Sequence, residues 1–358
     1  MPPKKKQHWV PQFYLRQFSA DSKSVSLALV DQERFIPTAS IPGQCYQDYF
    51  YGKTCEVEDR LHEIETEIAP LIHEICSTRR LPSRGSNDDA LLRRYMWVQH
   101  GRTLEAAENT EAMQEQTVEE VSRFGEIRGP LAEQLQPSTD NPVLYPLSAS
   151  LKNYVYLLDL DAALIANATE SEFMTSDQPV VRYNKYCEAP HSAGRGLIRK
   201  GLMVFFPLTP RLTLFLFDSE IYKVERSDGA RITLRKSGDL RQLNRLQWIN
   251  ATNVVIVGPQ TSKGAALQYA EQARLDRPVK SMSVQSLFHA GSERFISEDE
   301  AKQRGFELPR RRQLLMHYDT FPSIDLDLSF VRMRMKALRG GKRMEERMRE
   351  RRAAWLEA

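Results

Sequence analysis

The chain has 358 residues, of which 41% are hydrophobic and 27% are charged, as is ordinary for a soluble globular protein. No stretch approaches the roughly 18 apolar residues that a membrane helix needs, and the start, Met-Pro-Pro-Lys-Lys-Lys, has no apolar run behind it, so we expect neither a membrane span nor a secretion signal. The four cysteines, Cys45, Cys55, Cys76 and Cys187, form no Cys-x-x-Cys pair. These features together predict a protein of the reducing cytoplasm.

The formal net charge of +3 is unevenly distributed along the chain. Residues 328–358 hold eight Arg and two Lys against four Glu, which gives this end a net +6 and leaves −3 on the preceding 327 residues. A basic tail can bind the phosphates of a nucleic acid. Met333 and Trp355 give it apolar surface as well, so docking on a protein partner or on a second copy of the chain remains an equal alternative.

The spacing of apolar residues predicts mainly helices in the first half of the chain. The expected elements are a short helix from Pro11, a hairpin at 24–30 and 34–36, a helix over 57–75, a helix from the Ser86 cap to about Ala107, an acidic helix over 110–136, and a helix over 151–168. The pattern changes to short strands near Glu172.

Strands and helices are interspersed in the second half. The expected elements are a strand, turn and strand over 173–181, strands at 202–206 and 212–217 joined by a turn, a helix over 239–250, a buried strand at 254–257, a helix over 260–280, and a basic helix from about Phe330. Segregated elements predict an α+β fold, with a helical layer packed on a mostly antiparallel sheet and a basic helical C-terminal extension. We expect a single domain over 1–290 and the extension over 291–358.

The first candidate site is residues 7–19, where polar groups lie among large apolar side chains. If a helix begins at Pro11, Gln12 and Arg16 share one face of it and His8 lies just outside its start. His8 is either a general acid or base, since its ordinary pKa is near neutrality, or a histidine whose ring nitrogens are satisfied by backbone. Gln12 and Arg16 could bind an anionic substrate.

The second candidate is Arg102, which continues the apolar stripe of its predicted helix. Such an arginine points inward and requires an anionic or carbonyl partner. It is therefore a phosphate or carboxylate clamp, or else a structural buried ion pair with Glu58 or Glu65. Glu58, His62 and Glu65 lie at helical spacing on the preceding helix, where they form either metal ligands or a solvated face.

The third candidate is the sequence Thr-Ser-Asp-Gln-Pro at 175–179. Asp177 lies between two predicted strands, where functional residues commonly occur. The same carboxylate could instead close an Asx-turn on its own backbone. Both roles are compatible with one residue and both remain open.

Six sequence patterns resemble a family of uncharacterised, mainly bacterial proteins that is defined by a domain of unknown function. The patterns are His8-x-x-Pro11-x-x-Tyr14-Leu15-x-x-Phe18, the helix with Val57-Glu58 and Ile64-Glu65, Arg102-Thr103, Thr175-Ser176-Asp177-x-Pro179-Val180, Phe206-Pro207-Leu208-Thr209-Pro210, and Leu243-Asn244. The resemblance spans about residues 7–258. Thr209 stands where the family often has Ser, which preserves a hydroxyl.

The resemblance supplies no established reaction, but it implies a set of family residues and an association with mobile and defence genes. The family residues are His8, Glu58, Glu65, Arg102, Asp177 and Asn244. If these groups converge in one cleft, they suit hydrolysis or transfer on a phosphorylated substrate. The first hypothesis is therefore a hydrolase acting on nucleic acid or another phosphorylated substrate, a nuclease in anti-phage defence.

Each residue has a role in this hypothesis. The catalytic residues would be His8 as acid or base, Arg102 as phosphate clamp, and Asp177 with Glu58 as ligands of a divalent metal or as orienting groups. The substrate-binding residues would be Gln12, Arg16, Ser176 and Asn244.

The second hypothesis is a non-enzymatic sensor or binding component of a multi-protein complex. Its polar motifs would be buried scaffolding, and its basic tail would contact nucleic acid or a partner. Burial separates the two hypotheses, because catalytic groups must line an open cavity whereas scaffold groups are paired and closed to water.

Overall fold

The structure is a computed structural model that describes residues 5–32, 34–122, 141–186, 196–277 and 324–335, and the short stretches 281–290, 294–297, 302–303, 305 and 313–319. The helices are α1 (Gln12–Leu15), α2 (Glu56–Thr78), α3 (Asn87–Gly101), α4 (Leu104–Ser122), α5 (Leu144–Asn153), α6 (Ser237–Asn250) and α7 (Lys263–Asp276), with 3-10 turns at Arg16–Phe18, Ile41–Gly43 and Tyr154–Leu157. No described helix is both long and apolar enough to cross a membrane.

The described strands form five small sheets. They are β1 (Lys6–His8), β2 (Ser24–Leu29), β3 (Phe35–Ser40), β4 (Tyr46–Asp48), β5 (Asp161–Asn167), β6 (Thr175–Ser176), β7 (Val181–Tyr183), β8 (Met203–Thr209), β9 (Leu212–Phe217), β10 (Tyr222–Val224), β11 (Arg231–Leu234), β12 (Val254–Val257), β13 (Ser281–Ala290), β14 (Arg294–Ser297), β15 (Gln313–Asp319) and β16 (Val331–Met333). The strand orders are β11-β5-β9-β8-β7, β3-β2-β12-β6, β14-β13-β15, β1-β4 and β10-β16. All pairs are antiparallel except β11 with β5. The predicted α+β fold is confirmed.

The five-stranded sheet separates two hydrophobic cores. Successive side chains of a strand point to opposite faces, so Phe206 and Leu214 face α2, α3 and α5, whereas Phe205 and Phe215 face α6 and α7. Phe205 and Phe215 stack with their ring centroids 4.7 Å apart. Because both faces of these strands are buried, their sequences are continuously apolar and do not alternate between apolar and polar residues.

Local sequence signals account for the helix boundaries. The stripe of Leu61, Ile68 and Ile75 buries one face of α2, and acidic side chains in its first turn complement the positive end of the helix dipole. The hydroxyl of Ser86 accepts the Asp89 N–H at 3.2 Å and caps α3, as a serine at that position predicts.

Two predicted helices are corrected by the structure. The apolar spacing predicts one helix over 151–168, but only 151–153 belong to α5, and Asp161–Asn167 is the strand β5. A short apolar run buried on both faces cannot be assigned to helix or strand from periodicity alone.

The predicted basic helix from about Phe330 is also wrong at its start, because Val331–Met333 pairs as a strand with Tyr222–Val224. Residues 336–358, which hold the rest of that prediction, lie outside the described part of the chain.

The C-terminal extension contributes to the second core. Ile324, Leu326, Leu328 and Phe330 are all buried there, and the hydroxyl of Tyr183 donates to the Ile324 carbonyl at 2.9 Å. The domain boundary expected near residue 290 stays a prediction. Any truncation that removes Leu328 and Phe330 would expose the apolar surface that they cover.

Gly101 allows α3 and α5 to pack closely. A Cβ at this position would lie 2.1 Å from the Ser150 hydroxyl and 2.6 Å from the Pro146 carbonyl oxygen. The hydroxyl can rotate away, but the backbone carbonyl cannot. We expect Gly101→Ala to lower the free energy of unfolding by about 1–3 kcal/mol, measured by urea denaturation. Gly43→Ala is the control, since nothing lies within 4 Å of its Cβ position; equal effects of the two substitutions would contradict the packing argument.

Candidate functional site

The N-terminal segment is attached to the sheet through Tyr14. Its buried hydroxyl donates to the Pro207 carbonyl at 2.6 Å and is 2.6 Å from the Thr175 hydroxyl, which therefore donates to it. The Tyr14 ring stacks on Phe206 with centroids 5.2 Å apart. The first and third candidate sites, far apart in sequence, are thus in direct contact.

Arg102 lies beneath His8 and makes three contacts. Its Nε donates to the Tyr51 hydroxyl at 3.0 Å, Nη1 to Glu65 Oε1 at 2.6 Å, and Nη2 to the His8 carbonyl at 2.7 Å. Only 2% of the Arg102 side chain is exposed. Burial alone would lower the pKa of Arg102, but Tyr51 and Glu65 together raise it above its usual value. Of the two roles considered for Arg102, the buried ion pair with Glu65 is the observed one.

Glu58 lies two helical turns before Glu65 on α2, so the two carboxylates share a face. The charge of Glu58 helps to raise the pKa of the Tyr51 phenol, whose burial is the larger cause. Glu58, Glu65, Arg102 and the His8 backbone are therefore brought together. Within the described ranges, no group of three or more His, Cys, Asp or Glu side chains is arranged to hold a metal ion.

The His8 ring is half-buried at the surface, unlike its backbone. His8 Nε2 lies 3.4 Å from both the Pro42 carbonyl oxygen and Gln12 Nε2, and Arg16 Nη2 donates to Gln12 Oε1 at 3.3 Å. Desolvation lowers the pKa of His8, the Pro42 carbonyl opposes that shift, and the charge of Arg102 adds to it. At neutral pH the ring is therefore mainly uncharged and able to accept a proton.

Asp177 holds the connection between α6 and β12. Its Oδ1 accepts the Thr252 N–H at 2.9 Å, and its Oδ2 accepts the Asn253 and Val254 N–H groups at 2.7 and 3.3 Å. The residue is 1% exposed. Burial raises the pKa of Asp177 to about 6, although these three hydrogen bonds oppose the shift. The carboxylate closes a loop 75 residues away rather than an Asx-turn on its own backbone.

Ser176 is bonded on both sides in the same buried layer. Its hydroxyl donates to Gln247 Oε1 at 3.0 Å and accepts the Gln178 N–H at 3.1 Å. Gln247 Nε2 then donates to the Pro179 carbonyl at 2.9 Å. Neither hydroxyl nor amide faces solvent, since Ser176 and Gln247 are both buried.

The Asn244 side chain is hydrogen-bonded to the backbone just before the Thr175–Pro179 motif. Its Oδ1 accepts the Met174 N–H at 3.0 Å and its Nδ2 donates to the Glu172 carbonyl at 2.9 Å. Asn244 lies one turn before Gln247 on α6, so one face of this helix fixes the chain from 172 to 179.

The chain belongs to the DUF4238 family. The family, described as "Protein of unknown function (DUF4238)", matches residues 6–261 and so contains every residue of the networks above. Searches of curated proteins and of solved structures each found no match. The predicted membership of a family defined by a domain of unknown function is confirmed.

The family region contains two polar networks, and the hydrogen bond between Tyr14 and Thr175 joins the chain segments that carry His8 and Asp177. The first network holds the His8 carbonyl, the buried Arg102 and the partly buried Glu58 and Glu65, and the second holds the buried Ser176, Asp177 and Asn244. Cys45 is a further link, since its carbonyl accepts the Trp9 N–H at 3.0 Å and the charge of Asp177 adds to burial in raising the pKa of its thiol. A shared catalytic cleft would require both His8 and Asp177 to reach solvent. The catalytic roles stay predictions, and the geometry favours positioning roles for all but His8, Gln12 and Arg16.

Several residues of these networks were not predicted as site residues. Gln7 is fully buried, and its amide accepts the Tyr51 N–H at 2.5 Å and donates to the Gly52 carbonyl at 2.9 Å. The available signal was strand alternation, which turns Gln7 inward when Lys6 and His8 face outward. Gln247 was detectable as the residue one helical turn after Asn244.

Proposed function

We propose that this chain is a non-enzymatic component that binds nucleic acid within a larger assembly. The observation that carries the proposal is the burial of three of the family's six polar side chains. Arg102 is 2%, Asp177 1% and Asn244 1% exposed, and each is bonded to groups of the protein itself. Groups used in this way stabilise one backbone arrangement and are closed to a substrate.

Nucleic acid is the ligand class that the charge distribution favours. Residues 328–358 carry a net +6, and the described N-terminal strand adds the exposed Lys6. Nucleic-acid affinity depends mainly on such cations, because each phosphate contact releases a condensed counterion.

A nuclease is the second candidate, and the state of His8 favours it. This ring is part-exposed, and burial lowers its pKa, so a neutral imidazole is available as a general base. Arg16 and Gln12 would then hold a phosphate beside it, without Asp177 or Arg102 in the reaction.

One experiment separates the candidates. The full-length chain is titrated into labelled DNA and RNA oligonucleotides at several salt concentrations, and the same mixtures with Mg²⁺ or Mn²⁺ are followed for cleavage. We expect binding that weakens as salt rises, with the oligonucleotides left intact. Cleavage that His8→Ala abolishes would replace this proposal with the nuclease, and a chain that binds no oligonucleotide would remove it.

The basic tail is tested in the same titration by a chain that ends at residue 335. This variant loses eight of the ten positive side chains after residue 327 but keeps Leu328 and Phe330 in the core. We expect weaker binding and a shallower dependence of log affinity on log salt, with unchanged thermal unfolding. A chain that ends at residue 327 is the control for lost packing and should unfold at a lower temperature. Unchanged affinity at residue 335 would show that residues 336–358 do not contribute to nucleic-acid binding.

A further inference from the structure

One row of polar side chains at the N-terminal surface is not used by the buried networks. The row consists of Lys6, Tyr46, His8, Gln12 and Arg16. Lys6 and His8 are two residues apart on β1 and so point to the same face, while Gln7 between them points inward. The pairing of His8 with Tyr46 across β1 and β4 adds the aromatic ring to that face.

Each member of the row contacts the next. Lys6 Nζ lies 4.5 Å from the Tyr46 ring centroid, and the Tyr46 and His8 ring centroids are 5.7 Å apart. Gln12 Nε2 is 3.4 Å from His8 Nε2, and Arg16 Nη2 donates to Gln12 Oε1 at 3.3 Å. The row is therefore continuous, with a cation at each end.

The buried networks hold the backbone beneath the row. The His8 carbonyl accepts hydrogen bonds from Arg102 Nη2 at 2.7 Å and from the Tyr51 hydroxyl at 3.2 Å. The Trp9 carbonyl accepts from Gln99 Nε2 at 2.8 Å. A surface held in this way loses little conformational entropy when a ligand binds.

We propose that the row from Lys6 to Arg16 is a binding site for the phosphate backbone of a nucleic acid. Lys6 and Arg16 contact separate phosphates, and Gln12 and His8 donate or accept hydrogen bonds between them. Two-residue spacing on β1 separates Lys6 and His8 by about 7 Å, so side chains of the row reach different groups of an extended polyanion. The site rests on the proposed nucleic-acid binding and assigns part of it to the family domain rather than to the tail.

Charge and composition favour a nucleic acid over a membrane surface. Asp48 lies opposite Lys6 in the β1–β4 pair and is ion-paired with Lys5 at 2.9 Å, so one carboxylate is shared between two lysines and this end of the row keeps a net positive charge. None of the exposed large hydrophobic residues of the described chain belongs to the row, whereas peripheral membrane surfaces insert apolar side chains. Aromatic rings between cations are typical of surfaces that track a nucleic-acid strand.

The test is a charge-matched pair of variants in the full-length chain. Lys6→Gln with Arg16→Gln removes both cations of the row, and Lys263→Gln with Arg60→Gln removes two exposed cations on α7 and α2. Oligonucleotide affinity is measured by fluorescence anisotropy at several salt concentrations. We expect the row variant to bind about tenfold more weakly, with a salt slope reduced by about 1.4–2, and the control to change less than about twofold.

The outcomes separate this site from the proposed function. Both variants binding like the wild type would overturn the row as a site while leaving nucleic-acid binding to the tail. No binding by the wild-type chain would remove both. Equal binding to vesicles of 70% phosphatidylcholine and 30% phosphatidylserine, abolished in the row variant, would identify a lipid surface and also overturn the proposal. Urea denaturation of both variants checks that the fold is intact.

Discussion

Replacing Asp177 by alanine should lower the free energy of unfolding by about 2–4 kcal/mol. The substitution removes the acceptor of the Thr252, Asn253 and Val254 N–H groups, which hold the connection between α6 and β12. Urea denaturation at pH 7 measures the change. A catalytic aspartate at an open site would give the opposite result, because removing its charge would leave the stability unchanged or raise it.

The control for Asp177→Ala is Asp31→Ala. Asp31 is 82% exposed in its side chain and pairs at 3.2 Å with Arg277, which is 18% exposed, so the loss of this one ion pair should change the stability by less than about 1 kcal/mol. Similar losses in the two variants would show that the Asp177 carboxylate has no special structural role.

The pH dependence gives a further check on Asp177. Burial raises the pKa of this carboxyl from 3.8 to about 6, so the folded chain binds the proton more tightly than the unfolded chain. The contribution of Asp177 to stability is therefore largest below pH 3.8 and decreases as the pH rises through about 6. Asp177→Asn should remove this decrease, and a stability difference between wild type and Asn variant that does not vary with pH would contradict the shift.

Replacing Arg102 by alanine should cost about 3–5 kcal/mol. The substitution leaves the Glu65 carboxylate, the Tyr51 hydroxyl and the His8 carbonyl without their common donor. Arg102→Lys keeps the charge but cannot reach three acceptors in the same geometry, so it should recover only part of the loss. Thermal and urea denaturation measure both variants.

Arg60→Ala is the control for Arg102. Arg60 also pairs with a glutamate of α2, Glu63, at 3.1 Å, but the two side chains are 80% and 62% exposed. An exposed pair of this kind contributes about 0–0.5 kcal/mol. If Arg102→Ala were as mild as Arg60→Ala, the buried network would not stabilise the N-terminal segment.

Local patterns predicted much of the fold. The strand at 254–257 and the apolar stripe of α2 are predictable because the residues that they bury form a recognisable pattern over a short stretch of sequence. Residues 161–167 were assigned to a helix because β5 is buried by partners on both sides, β9 and β11, which no local period reveals. The three strands between 281 and 319 were missed because the sequence there carries no strong period.

The site could be predicted only in part, for the same reason. The apolar stripe of α3 correctly predicts that the Arg102 side chain is buried, and Glu65 is one of the two partners proposed for it. The contact of Arg102 with the His8 carbonyl spans 94 residues and involves a backbone atom, so no side-chain pattern marks it. Lys6 and Tyr46 were missed as surface partners of His8 because the pairing of β1 with β4 depends on a loop fixed by buried Gln7.

Hydrogen exchange at the Thr252, Asn253 and Val254 amides tests most directly whether the family's polar residues are a buried framework. In the full-length chain at pH 7, these amides should exchange slowly in the wild type and at least about tenfold faster in Asp177→Asn, while the amides of α2 stay unchanged. Rapid exchange in the wild type, or the same rate in both proteins, would mean that the Asp177 carboxylate does not hold these amides. That result would contradict a structural role for the buried polar residues.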